Sequence, residues 1–345
     1  MGCRFVFDDG ETCDASPAAG ESLLATAERA GVALLVDCRE GTCLSCRGRL
    51  THGEVRYAER HERTLRLAPL AADEVLCCIG EPATSDLEIT FGYPRAAVRP
   101  VRKMVLEVLE VAPLSERVMT LRGAVRGRFK LAFMPGQYLE VQVPGNGSRR
   151  SYSMANASSK PNEVELHVRL IPGGAMSDYL QHRAKPGDLL DVRGPLGVFY
   201  LRRRPAARVF VTGGTGLAPV VAMLRDLVAW GEVNRPVSVL HGVTTRGDLY
   251  GLEEVRALLA NFVDQRLAVA MQEADAAWEG VHGRVTDLPL ADELARLKGD
   301  LDVYLCGPPP MIQAVRQVAD HVGIPPERVF AEAFSAAPAS ATTIS

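Results

Sequence analysis

The sequence predicts three domains in one chain: a small α+β domain, then an antiparallel β-barrel, then a doubly wound parallel sheet of the α/β class. Three observations predict it. Short strand-like segments and one helical segment surround a cysteine-dense loop within the first hundred residues. From Met104 to about Leu201, short and often alternating apolar segments are broken by Gly and Pro, the pattern of an antiparallel barrel. After residue 204, strand and helix patterns alternate, which favours parallel βα units. A length of 345 residues leaves room for two or three domains.

Composition narrows the function classes. The chain is 47% apolar and 23% charged with a net charge of −3, which is ordinary globular composition. No strongly basic stretch marks a nucleic-acid footprint. No apolar run approaches the ~20 residues of a membrane span. The start, MGCRFVFDDG, lacks a basic head followed by an apolar stretch, so no signal peptide is expected. Val6 stands where a myristoylation signal after Gly2 takes Ser or Thr. A soluble cytoplasmic protein is the expectation.

In the first domain, CRFVFDDGETC predicts a hairpin around Asp9-Gly10, SLLATAERAG a short amphipathic helix stopped at Gly31, and DLEITFG a closing strand. Eight cysteines are present: Cys3, Cys13, Cys38, Cys43, Cys46, Cys77, Cys78 and Cys306. Three of them crowd into CREGTCLSC. In a reducing compartment such a cluster points to metal ligation before disulfides. The spacing Cys38-x4-Cys43-x2-Cys46, with a distant fourth thiol at Cys77 or Cys78, is that of plant-type [2Fe–2S] ferredoxins. Gly41 tolerates the backbone angles of a loop wrapped around two irons, and the small Thr42 and Ser45 let N–H groups approach sulfur. Structural zinc is the weaker alternative, because it takes paired knuckles and only Cys43-x2-Cys46 fits one. Cys3 and Cys13 read as a small strand residue and a turn neighbour. YPRAAVRPVRK, with two prolines and four basic residues, is expected to be a linker.

The barrel segments are MVLEVLEV, RVMTLRG, QYLEVQVP, VELHVRLI and DLLDVRG. RRSYSMAN interrupts them. There Arg150 offers a phosphate two parallel donors. Tyr152, on the same strand face, offers a ring to pack on an isoalloxazine. Ser153 offers a donor to the flavin N5 edge. A surface strand also carries such residues, but PGGAMSDYL follows, a glycine turn opening a helix and thus an anion site. GPLGVFYL then closes the barrel.

The last domain opens with ARVFVTGGTGLAPVVAMLRDLVAW, a strand, a glycine loop and a helix. Gly213-Gly214-Thr215-Gly216 is not the G-x-G-x-x-G fingerprint, yet it lets backbone N–H groups approach a pyrophosphate. Ligands of such sheets sit outside the carboxyl ends of the strands. Those ends present Gly213 to Gly216, Gly242 to Asp248, and Cys306-Gly307-Pro308. Cys306 is either a small buried residue or a thiol that packs on a nicotinamide ring. Asp248 would bind ribose hydroxyls or repel a 2′-phosphate, while Arg246 argues the other way. His241 reads as a core histidine. The seven histidines, among them His167, show no metal-ligand spacing.

In this order, CREGTCLSC…C, RSYS…GGAMS and GGTGLAP…YLCGPPPM together resemble the ferredoxin–NAD(P)⁺ reductase superfamily with an N-terminal plant-type [2Fe–2S] ferredoxin. The likeness is greatest to the reductases of aromatic-ring dioxygenases of the benzoate and anthranilate type, and covers about residues 1 to 335. It implies a β-grasp ferredoxin domain at 1–94, a linker at 95–103, an FAD-binding β-barrel at 104–203, an NAD-binding α/β domain at 204–335 and a tail at 336–345. EVLCCIGEP is similar to the V-L-A-C ending of plant-type ferredoxins, which makes Cys77 the small residue and Cys78 the ligand, with Cys38, Cys43 and Cys46. The resemblance places Arg150, Ser151, Tyr152, Ser153, His167, Gly174, Met176 and Ser177 at FAD. It places Gly213, Gly214, Thr215, Gly216, Asp248, Cys306, Gly307 and Pro308 at NADH. RVFAEAFSA looks like the family's last strand, with Glu332 and Phe334 approaching the flavin, so that Cys306, Ser153, Glu332 and Phe334 surround the hydride transfer. Gly41-Thr42 replaces the pair that commonly precedes the second cysteine, and Leu44 stands where a smaller residue is usual.

The implied path is hydride from NADH to FAD, then single electrons through the [2Fe–2S] cluster to a separate oxygenase, Rieske-type first, with the reductase a monomer. The alternatives are a reductase of the same order serving a diiron monooxygenase or a deoxysugar-forming enzyme, and a redox-sensing nucleotide-binding regulator. NADH is preferred over NADPH.

Overall fold

The computed structural model describes residues 2–36, 39–41, 45–67, 70–128 and 130–334. The chain divides into two compact units. One holds the residues up to Arg102 together with Gly194–Val198, and the other holds Lys103–Arg193 with the residues from Phe199 onward.

The first unit runs β1 (Gly2–Phe7), β2 (Thr12–Ala15), α1 (Leu23–Arg29), β3 (Arg47–His52), β4 (Val55–Tyr57), α2 (Glu62–Leu67), β5 (Glu74–Leu76), β6 (Gly80–Pro82) and β7 (Asp86–Phe91). The expected hairpin forms: β1 and β2 pair antiparallel across a turn in which Gly10 takes φ +81°. The main sheet has the order β2-β1-β7-β3-β5, with the first and last strands parallel at its centre. Alternation explains the core. Cys3, Phe5 and Phe7 of β1 and Leu87, Ile89 and Phe91 of β7 face inward. Phe7 and Phe91 stack at 5.4 Å. The Ser22 hydroxyl caps α1 by accepting from Ala25 N–H at 3.2 Å. The segment expected to be a linker starts tethered to this core. Tyr93 is buried and its hydroxyl accepts from Leu35 N–H, while Arg95 donates to Asp9 and Glu11.

The barrel comprises β8 (Arg102–Pro113), β9 (Val118–Arg126), β10 (Tyr138–Gln142), β11 (Arg149–Ser153), β12 (Glu163–Arg169), α3 (Ala175–His182) and β13 (Leu189–Leu196). Its order is β11-β10-β13-β8-β9-β12, and a bridge from Met154 to Leu166 brings the two end strands together, so the sheet nearly closes. Leu106, Val108, Leu121, Leu139, Val141 and Leu166 fill the interior.

The α/β part comprises β14 (Ala207–Gly213), α4 (Leu217–Ala229), β15 (Val237–Val243), α5 (Leu252–Leu259), β16 (Gln265–Met271), β17 (Val281–His282), α6 (Leu290–Leu297), β18 (Leu301–Gly307), α7 (Pro309–Val322) and β19 (Val329–Ala333). All pairs are parallel, in the order β17-β16-β15-β14-β18-β19. One core joins α4 and α5 to a face of the sheet, and a second joins α6 and α7 to the other, the doubly wound arrangement that the sequence predicted. The sequence did not reveal β17, whose two residues are too few to show a period. The strand order reverses between β14 and β18, so the crevice lies between their carboxyl ends.

Candidate functional site

At the cysteine pole, the β3–β5 ladder does the positioning. Arg47 pairs with Leu76, and the chain just beyond this pair on each strand holds Cys46 and Cys77-Cys78. Cys77 N–H donates to the Cys46 carbonyl at 3.1 Å, and Cys78 N–H donates to Cys46 Sγ at 3.4 Å. Cys77 turns into the core, fully buried, and that burial pushes its thiol up; Cys78 stays half-exposed beside Cys46. Gly41 has φ +78°, and a Cβ there would lie 2.6 Å from Ile79 Cδ1. The loop therefore needs glycine for both conformation and space. Cys38, Cys43, Thr42 and Leu44 lie outside the described residues. The two described thiols suit a cluster: they are adjacent, and one already accepts a backbone N–H at sulfur, as cluster sulfurs do.

The flavin candidates converge on β11. Tyr152 packs against the barrel interior, and burial raises its phenol. Arg150 lies on the same face and is half-buried. It donates to the Arg149 carbonyl at 2.8 Å and has no carboxylate partner among the described residues, unlike most arginines of this chain. Ser151 is exposed. Three buried polar atoms on neighbouring strands lack a protein partner among the described residues: Ser153 Oγ on β11, Thr120 Oγ1 on β9 and His167 Nδ1 on β12. Thr120 and His167 are cross-strand partners. Buried donors and acceptors left unpaired this way call for a ligand or ordered water. At α3, Gly174 is the N-cap, Ser177 Oγ accepts from Ile171 N–H at 2.8 Å, and Met176 and Ser177 are buried. The first-turn N–H groups of this helix have no intrahelical acceptors, which suits a phosphate. The donor set thus fits a flavin nucleotide.

At the crevice, β14 is buried up to Thr212 and α4 is buried from Leu217; between them, Gly213, Gly214 and Thr215 are half-open. Gly216 sits on the backbone of β18, where a Cβ would overlap the Cys306 carbonyl oxygen. Gly213 packs less tightly on Pro308 and Met311, a Cβ there lying 3.0 Å from a side-chain atom of each. The glycines thus let the loop lie flat on the end of β18, below the crevice. Gly216→Ala is expected to push the loop off β18, destabilising the protein by about 2 kcal/mol or more and weakening ADP binding; thermal melting and calorimetric titration check both.

Cys306 is fully buried beneath the loop, and burial, with Glu332 on the next strand, pushes its thiol well above its usual range. It is a neutral packing group rather than a nucleophile. Gly307 is buried and Pro308 exposed at the same strand end. Glu332 and Phe334 are half-buried, and Phe334 N–H donates to the Gly307 carbonyl at 2.9 Å. His241 is buried with Nδ1 2.8 Å from Thr212 Oγ1, and burial lowers it to about 4, so it stays neutral, with Nε2 unpartnered among the described residues.

Asp248 is placed differently from an acid that stands open at the crevice. It is buried, accepts from Thr245 N–H and Oγ1 at 3.0 and 2.9 Å, and meets Arg169 at 3.2 Å and Arg117 at 3.7 Å. Its turn is docked on the β8–β9 hairpin, where Ser115 Oγ donates to the Gly247 carbonyl at 2.8 Å. Both Thr245 bonds fall on Oδ2, while Oδ1 makes no hydrogen bond among the described residues and meets only the Arg169 guanidinium, so the carboxylate faces charged groups of the barrel.

Comparison with known proteins decides the family. Residues 6–82 match the 2Fe-2S iron-sulfur cluster binding domain, 106–200 the oxidoreductase FAD-binding domain, and 210–317 the oxidoreductase NAD-binding domain. The electron transfer component of toluate 1,2-dioxygenase from Pseudomonas putida is 35% identical over 96% of this chain and 97% of its own. The chain belongs to the ferredoxin–NAD(P)⁺ reductase superfamily, among reductases with a plant-type ferredoxin domain. The reductase is also 33% identical to the reductase component of phenol 2-monooxygenase from Pseudomonas sp. strain CF600, over 86% of this chain and 84% of that one. The crystal structure of a cytochrome P450 reductase from Amycolatopsis superposes with a TM-score of 0.69 at 30% identity, covering 96% of this chain and 99% of that one.

The reductase also contains a charged network that sequence reasoning missed. Glu165 accepts from His167 Nε2 at 3.0 Å and from Arg225 of α4 at 3.0 Å. Arg225 also donates to the Ala155 carbonyl at 2.8 Å and to Glu254 of α5 at 2.7 Å. Burial alone would raise the Glu165 carboxyl, but the His167 and Arg225 hydrogen bonds outweigh it and hold the group at about 2. One signal was available: Glu165 and His167 are two apart, hence on one face of the strand. Their partner on α4 is 60 residues away and left no trace in spacing.

Proposed function

We propose that this reductase is the electron-transfer component of an aromatic-ring-hydroxylating dioxygenase system, oxidising NADH and delivering single electrons to a Rieske-type oxygenase. The observation that carries this is the presence in one chain of a thiol pair at a cluster domain, a barrel with unpaired polar atoms at its flavin strand, and a glycine loop at the switch point of a parallel sheet. FAD and the cluster, when bound, supply two-electron uptake and one-electron delivery. The residues of the chain hold and orient. Cys38, Cys43, Cys46 and Cys78 hold the irons. Arg150 and the α3 turn at Gly174, Met176 and Ser177 hold the flavin phosphates. Tyr152 would pack against the flavin ring and Ser153 would offer it a hydrogen-bond donor, with Ser151 and His167 on the neighbouring strand positions. Gly213 to Gly216 seat the nucleotide pyrophosphate, and Gly307 and Pro308 wall the nicotinamide end, with Glu332 and Phe334 nearby. Domain limits of 1–94, 104–203 and 204–335 accompany this proposal. No helix among the described residues is long and apolar enough to cross a membrane. Cysteines that serve as metal ligands fit a reducing compartment, and a cytoplasmic location goes with this proposal.

The test is reconstitution. The purified protein should show flavin and iron–sulfur absorption, reduce cytochrome c with NADH, and drive substrate turnover by a Rieske-type oxygenase. A flavin-only spectrum, or no reduction of cytochrome c, would sink the proposal. Likeness to the phenol 2-monooxygenase reductase supports a second reading, delivery to a monooxygenase. Turnover with that acceptor class and none with a Rieske oxygenase would select it.

A further inference from the structure

Asp248 is buried, and a second acid stands nearer solvent. The rim beyond β15 and β16 carries it. Arg246 follows β15, and Asp275 follows β16; Val243 and Met271 are register partners, so the two loops leave the sheet side by side. Arg246 Nε and Nη2 donate to Asp275 Oδ2 and Oδ1 at 2.6 and 2.8 Å, and both side chains are half-exposed. That two-pronged contact uses the fork an arginine would present to a phosphate. Asp275 also accepts from Ala277 N–H at 3.0 Å, so its carboxylate is oriented independently of Arg246. The Arg246 guanidinium holds the Asp275 carboxyl at about 2, so the acid is charged across the working pH range. Exposed Glu273, earlier in the same loop, adds a second negative charge.

Topology sets the scale. The glycine loop follows β14, and β15 and β16 are the next two strands on the side away from β18. At ~4.8 Å per strand, the β16 rim lies about 10 Å from the loop. With the pyrophosphate on the glycine loop and the nicotinamide toward β18, the adenosine ribose falls at this rim.

We propose that Asp275 makes the site select NADH over NADPH, by occupying the Arg246 fork that would otherwise take the 2′-phosphate. The proposal rests on reading Gly213 to Gly216 as the dinucleotide site. An exposed pair of this kind adds little to stability, so its removal leaves the fold intact. Asp275→Asn removes the charge and keeps an acceptor for Ala277.

The test is calorimetric titration of the holoprotein with ADP and with 2′,5′-ADP, alongside kcat/KM for NADH and NADPH. The wild type should prefer ADP. In Asp275→Asn the affinity ratio of 2′,5′-ADP to ADP should rise about tenfold, the scale of one charge-assisted bidentate contact, and the NADPH/NADH ratio of kcat/KM should rise with it. Adding Arg246→Ala should cancel the gain. An unchanged ratio in Asp275→Asn, or a gain that persists without Arg246, overturns the proposal while ADP binding leaves the dinucleotide site standing. A wild type that binds no ADP overturns both.

Discussion

Replacing Cys78 with alanine is expected to abolish the iron–sulfur absorption and cut NADH-dependent cytochrome c reduction by more than about 100-fold, beyond the ~10–100-fold typical of losing a group that merely orients a ligand. Reduction of ferricyanide, which the flavin serves directly, should persist. The physical reason is the placement of two adjacent thiols. Cys78 is half-exposed, with its N–H on Cys46 Sγ, whereas Cys77 points into the core. Cys77→Ala is therefore the matched control. It should keep the cluster spectrum and cost about 1 kcal/mol of stability through lost packing. The reverse pattern, a cluster lost with Cys77 and kept without Cys78, would refute the ligand assignment.

Arg225→Ala carries the second large effect. Removing one partner of a buried ion pair strands the other, at a cost of about 3–5 kcal/mol. Arg225 is one-fifth exposed and Glu165 about one-eighth, so the lower end applies. For a unit of this size, about 3 kcal/mol corresponds to a melting shift of roughly 6–12 °C. The pH dependence has a definite sign. The folded Glu165 carboxyl is held at about 2, below its unfolded value. Its contribution is therefore full above about pH 4.5 and is lost as the pH falls toward 2. The gap between wild type and Arg225→Ala should accordingly be widest at neutral pH and narrow below about pH 4.5. Urea denaturation at pH 7 and pH 3 measures it, and an equal gap at both would show that Glu165 is not the stranded charge. The same network ties β12, which carries His167, to the helix behind the glycine loop, so slower flavin reduction by NADH in the variant, read by stopped flow, is the functional counterpart.

Much of the architecture was legible in the chain because its signals are local. The alternation of β1 and β7, the serine cap and glycine stop of α1, and the apolar runs of β14, β15 and β18 each lie within a few residues. So do the ligand spacing from Cys38 to Cys46 and the glycine loop at Gly213 to Gly216. Asp248 shows where local reasoning stops. It stands at a strand end, where an acid commonly meets ribose, and it is charged and near an arginine in sequence. Whether a carboxylate at such a position faces ligand or protein depends on what packs against its turn. Here that is the β8–β9 hairpin, more than a hundred residues earlier.

The sequence by itself determined the three-module order, the cysteine spacing, the strand that carries Arg150 to Ser153 and the glycine loop at Gly213 to Gly216, since each is written in neighbouring residues. Only the tertiary structure decided that Cys77 turns into the core, that Asp248 is buried against arginines of the barrel, that Asp275 holds Arg246, and that Glu165 and Arg225 join barrel to sheet. Those choices depend on side chains from distant segments meeting within about 3 Å, and hydrogen bonds and burial at that range are set by folding rather than by adjacency in the chain.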